Sequence, residues 1–247
     1  MRKNIIFEYI DIFLNFIFPR NIYCILCNKP IDRNRKYSLC DRCFKNIRFI
    51  RGKTCTKCGK PLNEFYMYDN CPECMNNEFY FTKAVSCVEY DDISKKIIYE
   101  LKYNKKRYIS YHMAEIMADK FKESFFQDVD VIMPVPLHKS REKERTFNQS
   151  YLIAKYLGKM MNKDVDNKSL VRVKNTKIQN KLTREERKSN LEKAFKVVNH
   201  LNIDGKTILL VDDIFTTGLT ADRCSRVLIE SGALRVYILT FATGRNT

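Results

Sequence analysis

Eight of the ten cysteines form four Cys-x-x-Cys pairs: Cys24/Cys27, Cys40/Cys43, Cys55/Cys58 and Cys71/Cys74. Twelve residues separate the first pair from the second and the third from the fourth, so the arrangement repeats after 31 residues. Two intervening residues let both thiolates of a tight turn face one point, and two such turns complete a tetrahedron of sulfur around Zn²⁺. Asn28 and Gly59, each followed by Lys-Pro, supply turn chemistry behind the first pair of each couple. Redox pairs would not need four copies. The spacing therefore predicts two structural zinc ions, one on Cys24, Cys27, Cys40 and Cys43 and one on Cys55, Cys58, Cys71 and Cys74. A cross-braced arrangement, first pair with third and second with fourth, satisfies the same spacing. Such a module has too little core to fold without its metal. Cys87 and Cys224 lie in apolar patterns and read as packing residues.

A second chemistry sits near the C-terminus. Ile208 to Val211 are apolar and read as a buried strand, and Asp212 and Asp213 follow at its C-terminal end. Thr216, Thr217, Gly218 and Thr220 then lead into a helix. Small hydroxyl side chains and backbone N–H groups at a helix N-terminus make a cradle for a phosphate. The carboxylates cannot serve that anion; they suit ribose hydroxyls or a nearby Mg²⁺. Together these groups describe a sugar phosphate. Further upstream, Val131 to Pro136 lead from a strand into a basic loop with Arg141 and Arg145 four residues apart. One helical turn would put both guanidinium groups on one face, where they suit a diphosphate. His138 is a candidate base, though a minor one. No Gly-x-x-x-x-Gly-Lys-Ser/Thr occurs, which excludes a P-loop nucleotide site.

The run from Ile208 to Thr220 resembles the PRPP-binding motif of type I phosphoribosyltransferases, with Phe215 bulkier than that pattern prefers. Pro134, Pro136, Leu137-His138, Arg141, Arg145 and Phe147-Asn148-Gln149 resemble the ComF family of competence-related proteins. So does the later series Thr176, Gln179, Leu182, Arg187, Asn190 and Phe195. The resemblance covers nearly the whole chain, with one departure at Thr146, where the family usually has Gly. It implies an α/β fold: a type I phosphoribosyltransferase-like, mainly parallel sheet preceded by a small four-cysteine, zinc-ribbon-like module. It also implies binding of PRPP or a related sugar phosphate with Mg²⁺, and a part in DNA uptake and natural transformation beside other DNA-uptake or recombination proteins. In that reading Asp212, Asp213, Thr216, Thr217, Gly218 and Thr220 hold the sugar phosphate, and Pro136, Arg141 and Arg145 form the pyrophosphate loop. Phosphoribosyl transfer would be the reaction of an active member, and its catalytic residue stays unassigned. Family members are often described as amidophosphoribosyltransferases. This chain shows neither an N-terminal nucleophilic Cys nor room for a glutaminase domain, so glutamine-derived ammonia is not expected from it alone.

These residues need elements to hold them. Strand-like runs near 84–90, 129–134, 169–173, 195–198, 206–212 and 234–241 alternate with helical ones near 93–102, 108–126, 147–162 and 219–231. The expected division is an N-terminal helix with the double four-cysteine module over 1–82, then a phosphoribosyltransferase-like domain over 83–247. Residues 174–192 read as a polar excursion over a binding site.

Hydrophobic residues at 45% and charged ones at 30% exclude general disorder. Arg2, Lys3 and the apolar run 5–18 look superficially like an export signal. Glu8 and Asp11 interrupt the run and no cleavage site follows, so an amphipathic helix in a cytoplasmic protein without a transmembrane segment is expected. Of the formal +16, residues 93–200 supply a surplus of 12. That excess suits a polyanion. Single-stranded DNA is the alternative ligand, bound without catalysis, and Lys102 to Tyr108 interleaves cations with aromatics as such a surface would.

Overall fold

The computed structural model describes residues 21–124, 126, 128–174 and 193–244. The expected helix over 5–18 and the excursion from residue 175 on lie outside them. By its contacts the chain divides into two compact units, Met1–Ile47 and Arg48–Thr247.

In the first unit, Asn28 takes a left-handed φ of 55° behind the Cys24/Cys27 knuckle, and α1 (Asp41–Asn46) starts directly after Cys40. The second unit repeats both features. Gly59 has φ 68°, and α2 (Pro72–Met75) starts directly after Cys71. The 31-residue repeat is thus a structural one.

The second cysteine set shares its unit with the sheet, although the sequence suggested a boundary after residue 82. Its backbone is tied in directly. Ala84 N–H donates to Lys57 O at 2.8 Å, and Thr82 N–H donates to Val236 O at 2.7 Å. At Gly59 an added Cβ would lie 2.4 Å from Ala84 O, so only glycine permits the approach.

The body is a five-stranded, wholly parallel sheet in the order β1-β7-β6-β2-β3. Its strands are β1 (Lys83–Glu89), β2 (Val131–Pro134), β3 (Asp164–Val165), β6 (Thr207–Phe215) and β7 (Arg235–Thr243). β4 (Leu170–Arg172) and β5 (Phe195–Val197) form a separate antiparallel pair. The helices are α3 (Asp92–Lys102), α4 (Ile109–Glu123), α5 (Lys139–Arg145), α6 (Gln149–Met161) and α7 (Leu219–Ile229). Strand residues alternate faces, and helices cover both, which is why Ile208 to Val211 are buried without interruption. Ile208, Leu210, Val236 and Ile238 pack with Cys55, Cys58, Cys71 and Phe81 in one core, together with Leu228 of α7.

Three elements of the body differ from the sequence reading, the first being α5, a helix where a basic loop was expected. β6 continues to Phe215, because β7 still pairs with it there, whereas the pattern ended at the two acids. β3 is only two residues long and too short to show a period. Among the described residues no helix is long and apolar enough to cross a membrane.

Candidate functional site

Both cysteine sets assemble in sequence order, so the cross-braced alternative is overturned: the eight sulfurs form two groups, each with its ligand atoms within 4.8 Å of one another. Tetrahedral sulfur at about 2.3 Å from zinc gives S···S edges of about 3.8 Å. The Sγ atoms of Cys27 and Cys40 are 3.8 Å apart, and those of Cys58 and Cys71 are 3.6 Å apart. The donors fit zinc. Cys55 Sγ also accepts from the amides of Cys58 at 3.5 Å and Cys71 at 3.3 Å, as a metal-bound thiolate would. The Cys58 and Cys74 thiols hold Cys55 far below the ordinary thiol range and are themselves pushed up, Cys58 to about 12. Cys87 and Cys224 are buried and belong to neither group; desolvation raises both.

The second site opens where the sheet loses a strand. β2 ends at Pro134 opposite Val211, and Val135 N–H donates the last ladder bond to Val211 O at 2.9 Å. Pro136 has no N–H and cannot extend it. From Asp212 onward β6 lacks a neighbour on that side, and a cleft follows. Pro136, Arg141, Arg145, Asp212 and Asp213 line it, as do Thr216, Gly218 and Thr220. The structure thus brings together every expected residue of this site except Thr217, which is not part of the lining.

Each group is held for a reason. Gly218 caps α7 with φ 77°, and its missing Cβ matters twice, since one built there would be 2.7 Å from Phe215 Cζ. Asp222 N–H donates to Gly218 O at 2.8 Å and closes the first turn of α7, whose N-terminal end carries the positive dipole. Arg141 and Arg145 lie on α5, one turn apart. His138 serves as its N-cap, accepting from Ser140 N–H at 3.3 Å, which gives that ring a structural role. α5 ends at Thr146 with φ 69°, a left-handed position where Gly would be unstrained. There Arg107 donates to Thr146 Oγ1 at 2.9 Å and stacks over Phe147 at 4.9 Å. Asn148 caps α6 and donates to Val135 O at 3.1 Å.

Gln149 joins the basic and acidic halves. Its Oε1 accepts from Arg145 at 3.1 Å and its Nε2 donates to Asp213 Oδ1 at 3.3 Å. Asp213 is 3% exposed and ion-paired with Lys102, the last residue of α3. Burial alone would raise its pKa, but the Lys102 ammonium overcomes that and holds the carboxyl below its ordinary value. Asp212 accepts from Ser150 Oγ at 2.7 Å and from the Asp213 amide at 2.9 Å. Burial, and then the charge of Asp213, push it up to about 7. The two acids therefore play different parts.

Sequence reasoning missed Lys102, Gln149, Ser150 and Arg172 as parts of this cleft. Polar Gln149 and Ser150 on the buried side of a helix were the available signal. Arg172 arrives on β4, with its guanidinium 5.4 Å from the Phe195 ring. The stretch expected to form a DNA surface is largely spent on the chain itself. Lys102 pairs with Asp213, Lys106 with Glu100 at 2.8 Å, and Arg107 with Thr146.

Comparison with known proteins gives three kinds of likeness. Residues 13–75 match the family described as "Double zinc ribbon domain". The DNA utilization protein YhgH of Salmonella typhimurium is 29% identical over 160 residues, 63% of this chain and 70% of that protein. Competence protein ComFC of Bacillus subtilis is 31% identical over 147 residues, 60% of this chain and 58% of that one. Among solved structures, the glutamine phosphoribosylpyrophosphate amidotransferase of B. subtilis matches 53% of this chain and 25% of its own, at 19% identity and a TM-score of 0.37.

Proposed function

We propose, from the premise that this chain belongs to the ComF family, that its cleft binds PRPP or a related sugar phosphate with Mg²⁺ and that the protein acts in DNA uptake or utilization. One observation carries the first half: a single cleft gathers an acidic pair, a helix N-terminal turn of threonines and glycine, and two arginines one helical turn apart. The names of the relatives, a DNA utilization protein and a competence protein, support the second.

In this reading the turn Thr216 to Thr220 receives the 5′-phosphate through hydroxyls and the positive end of α7. Arg141 and Arg145 receive the diphosphate. Gln149 keeps Arg145 in place while fixing Asp213. Asp212 is the acid that meets the ribose hydroxyls, because Asp213 is committed to Lys102 and Gln149. Mg²⁺, held through Asp212 and the ligand's own oxygens, would neutralise diphosphate charge. If diphosphate leaves, positive charge grows on the sugar ring. The fixed carboxylates of Asp212 and Asp213 would stabilise it.

Calorimetry of the full chain with ribose 5-phosphate and PRPP, with and without Mg²⁺, tests the reading. At pH 8, above the raised value of about 7, Asp212→Asn replaces an anionic acceptor by a neutral amide. A charge-assisted hydrogen bond is worth about 1.5–3 kcal/mol, so affinity should fall roughly tenfold to a hundredfold. Unchanged affinity, or no binding by the parent protein, overturns the assignment. Release of pyrophosphate from PRPP separates transfer from binding alone.

A further inference from the structure

A second cavity, of about 380 Å³, lies between β5 and α7 and shares no lining residue with the cleft described above. Arg223, Arg226, Val227 and Glu230 of the α7 side are spaced i, i+3, i+4 and i+7, so they form one stripe along the helix and its end. Lys193, Phe195 and Lys196 line the cavity from the strand side. Among the described residues the lining holds four cations and one carboxylate. That carboxylate is already engaged, since Glu230 accepts from Arg226 at 2.7 Å.

Arg223 supplies the independent sign of a missing ligand. Its side chain is 17% exposed, and the acid it pairs with among the described residues, Asp222, is 3.9 Å away. Asp222 in turn accepts from the Tyr80 amide at 2.8 Å. The Nε–H of Arg223 is buried and has no hydrogen-bond partner among the described residues. A buried donor without an acceptor is costly, and a cavity lined with like charges is costlier still. Phe195, Val227, Ala194 and Val173 give the same cavity an apolar part.

We infer that this cavity is a second anion site that takes a nucleotide phosphate, with Arg223 as its buried donor, Lys193 and Lys196 as the cations at its mouth, and the apolar lining receiving the base or sugar. The phosphate can belong to a free nucleotide or to a strand. The chemistry recognised is the same.

The test uses the full chain and two variants. Lys193 and Lys196 are exposed, so K193E/K196E leaves the core untouched; R223Q removes the buried donor. Calorimetry with dTMP and anisotropy of a labelled oligothymidine over a salt series are read for both. The site predicts at least a tenfold loss in K193E/K196E for one or both ligands. For the oligonucleotide, the log–log salt slope should flatten by about 0.7 for each phosphate that the variant no longer neutralises. Loss for dTMP alone assigns the site to a free nucleotide, and loss for the oligonucleotide alone assigns it to a strand. Parent-like affinity and slope for both ligands in K193E/K196E and in R223Q overturn the inference. Ribose 5-phosphate affinity is measured on the same samples. If it is absent in the parent while the variants still lose nucleotide binding, the sugar-phosphate reading fails and this one stands.

Discussion

Replacing Lys102 by Met should destabilise the protein in a way that depends on pH. Lys102 is the only cation among the described residues that is ion-paired with Asp213, and the two side chains are 15% and 4% exposed. Breaking a buried pair from one side typically costs 3–5 kcal/mol. The cleft admits water, so about 2–3 kcal/mol is the better expectation here. For a chain of this size each kcal/mol moves the melting temperature by about 2–4 °C, which gives a fall of roughly 5–10 °C at pH 8. The sign of the pH effect follows from the shift. In the parent, Lys102 holds Asp213 below its ordinary value of 3.8. The pair therefore stabilises fully above that value and is lost as pH falls through the lowered one. In the variant burial, which raises the carboxyl, is opposed only by the hydrogen bonds to Gln149 and Asp212. Its contribution is then present at low pH and lost as pH rises. Asp212, already pushed up to about 7, adds its repulsion over the same range. The gap between parent and variant should thus be small near pH 4–5 and widen towards pH 8. Thermal unfolding at four or five pH values measures it. A gap of equal size at pH 5 and pH 8 would refute the claim that Lys102 acts through the charge of Asp213.

Elemental analysis of chelator-free protein should find two zinc ions per chain, and clearly fewer would count against the two four-cysteine sites. Cys71→Ser should lower the main unfolding transition by something on the order of 10 °C, because Cys71 is fully buried in the core shared with the sheet. Cys40→Ser should leave that transition nearly unchanged and release one zinc, since its set lies in the other compact unit. Gly218→Ala should weaken ribose 5-phosphate binding by displacing Phe215, whose ring an added Cβ would meet at 2.7 Å. Trimming that ring with Phe215→Leu in the same chain should restore part of the loss.

What could be read in advance was local chemistry, and what could not was long-range pairing. The cysteine repeat carries its own geometry, because two-residue spacing and a left-handed turn at Asn28 and Gly59 are sequence-local. The strand, acidic pair and glycine turn of 208–220 are also contiguous, so their meeting at one cleft was legible. Lys102 was not: 111 positions separate it from Asp213, and nothing in Lys102-Tyr103-Asn104-Lys105-Lys106 distinguishes an ion-pairing lysine from a solvated one. The stretch read as a nucleic-acid surface for that reason. Arg172 shows the same limit, since a three-residue strand brings it to the cleft. The unit boundary was hidden because the knuckle of the second cysteine set docks on β1 through backbone contacts at Gly59 and Lys57.

The docking of that second set also explains why Phe215 tolerates its size. Phe79 stacks on Phe81 at 5.1 Å, and Phe81 meets Phe215 edge-on at 5.9 Å. Lys57, from within the Cys55/Cys58 knuckle, lies 5.4 Å from the Phe81 ring. A residue bulkier than the resembled motif prefers thus ends a row of aromatic rings that begins beside the Cys55/Cys58 knuckle. Thr243 Oγ1 donates to Phe215 O at 2.8 Å and fixes the backbone at the same point. Phe215 in turn lies over Gly218, the cap of α7. The turn's shape is therefore set from below by the zinc-ribbon core rather than by the turn residues alone. That places the second group of four cysteines among the parts that position the cleft, whereas Cys24, Cys27, Cys40 and Cys43 make their zinc site inside their own unit.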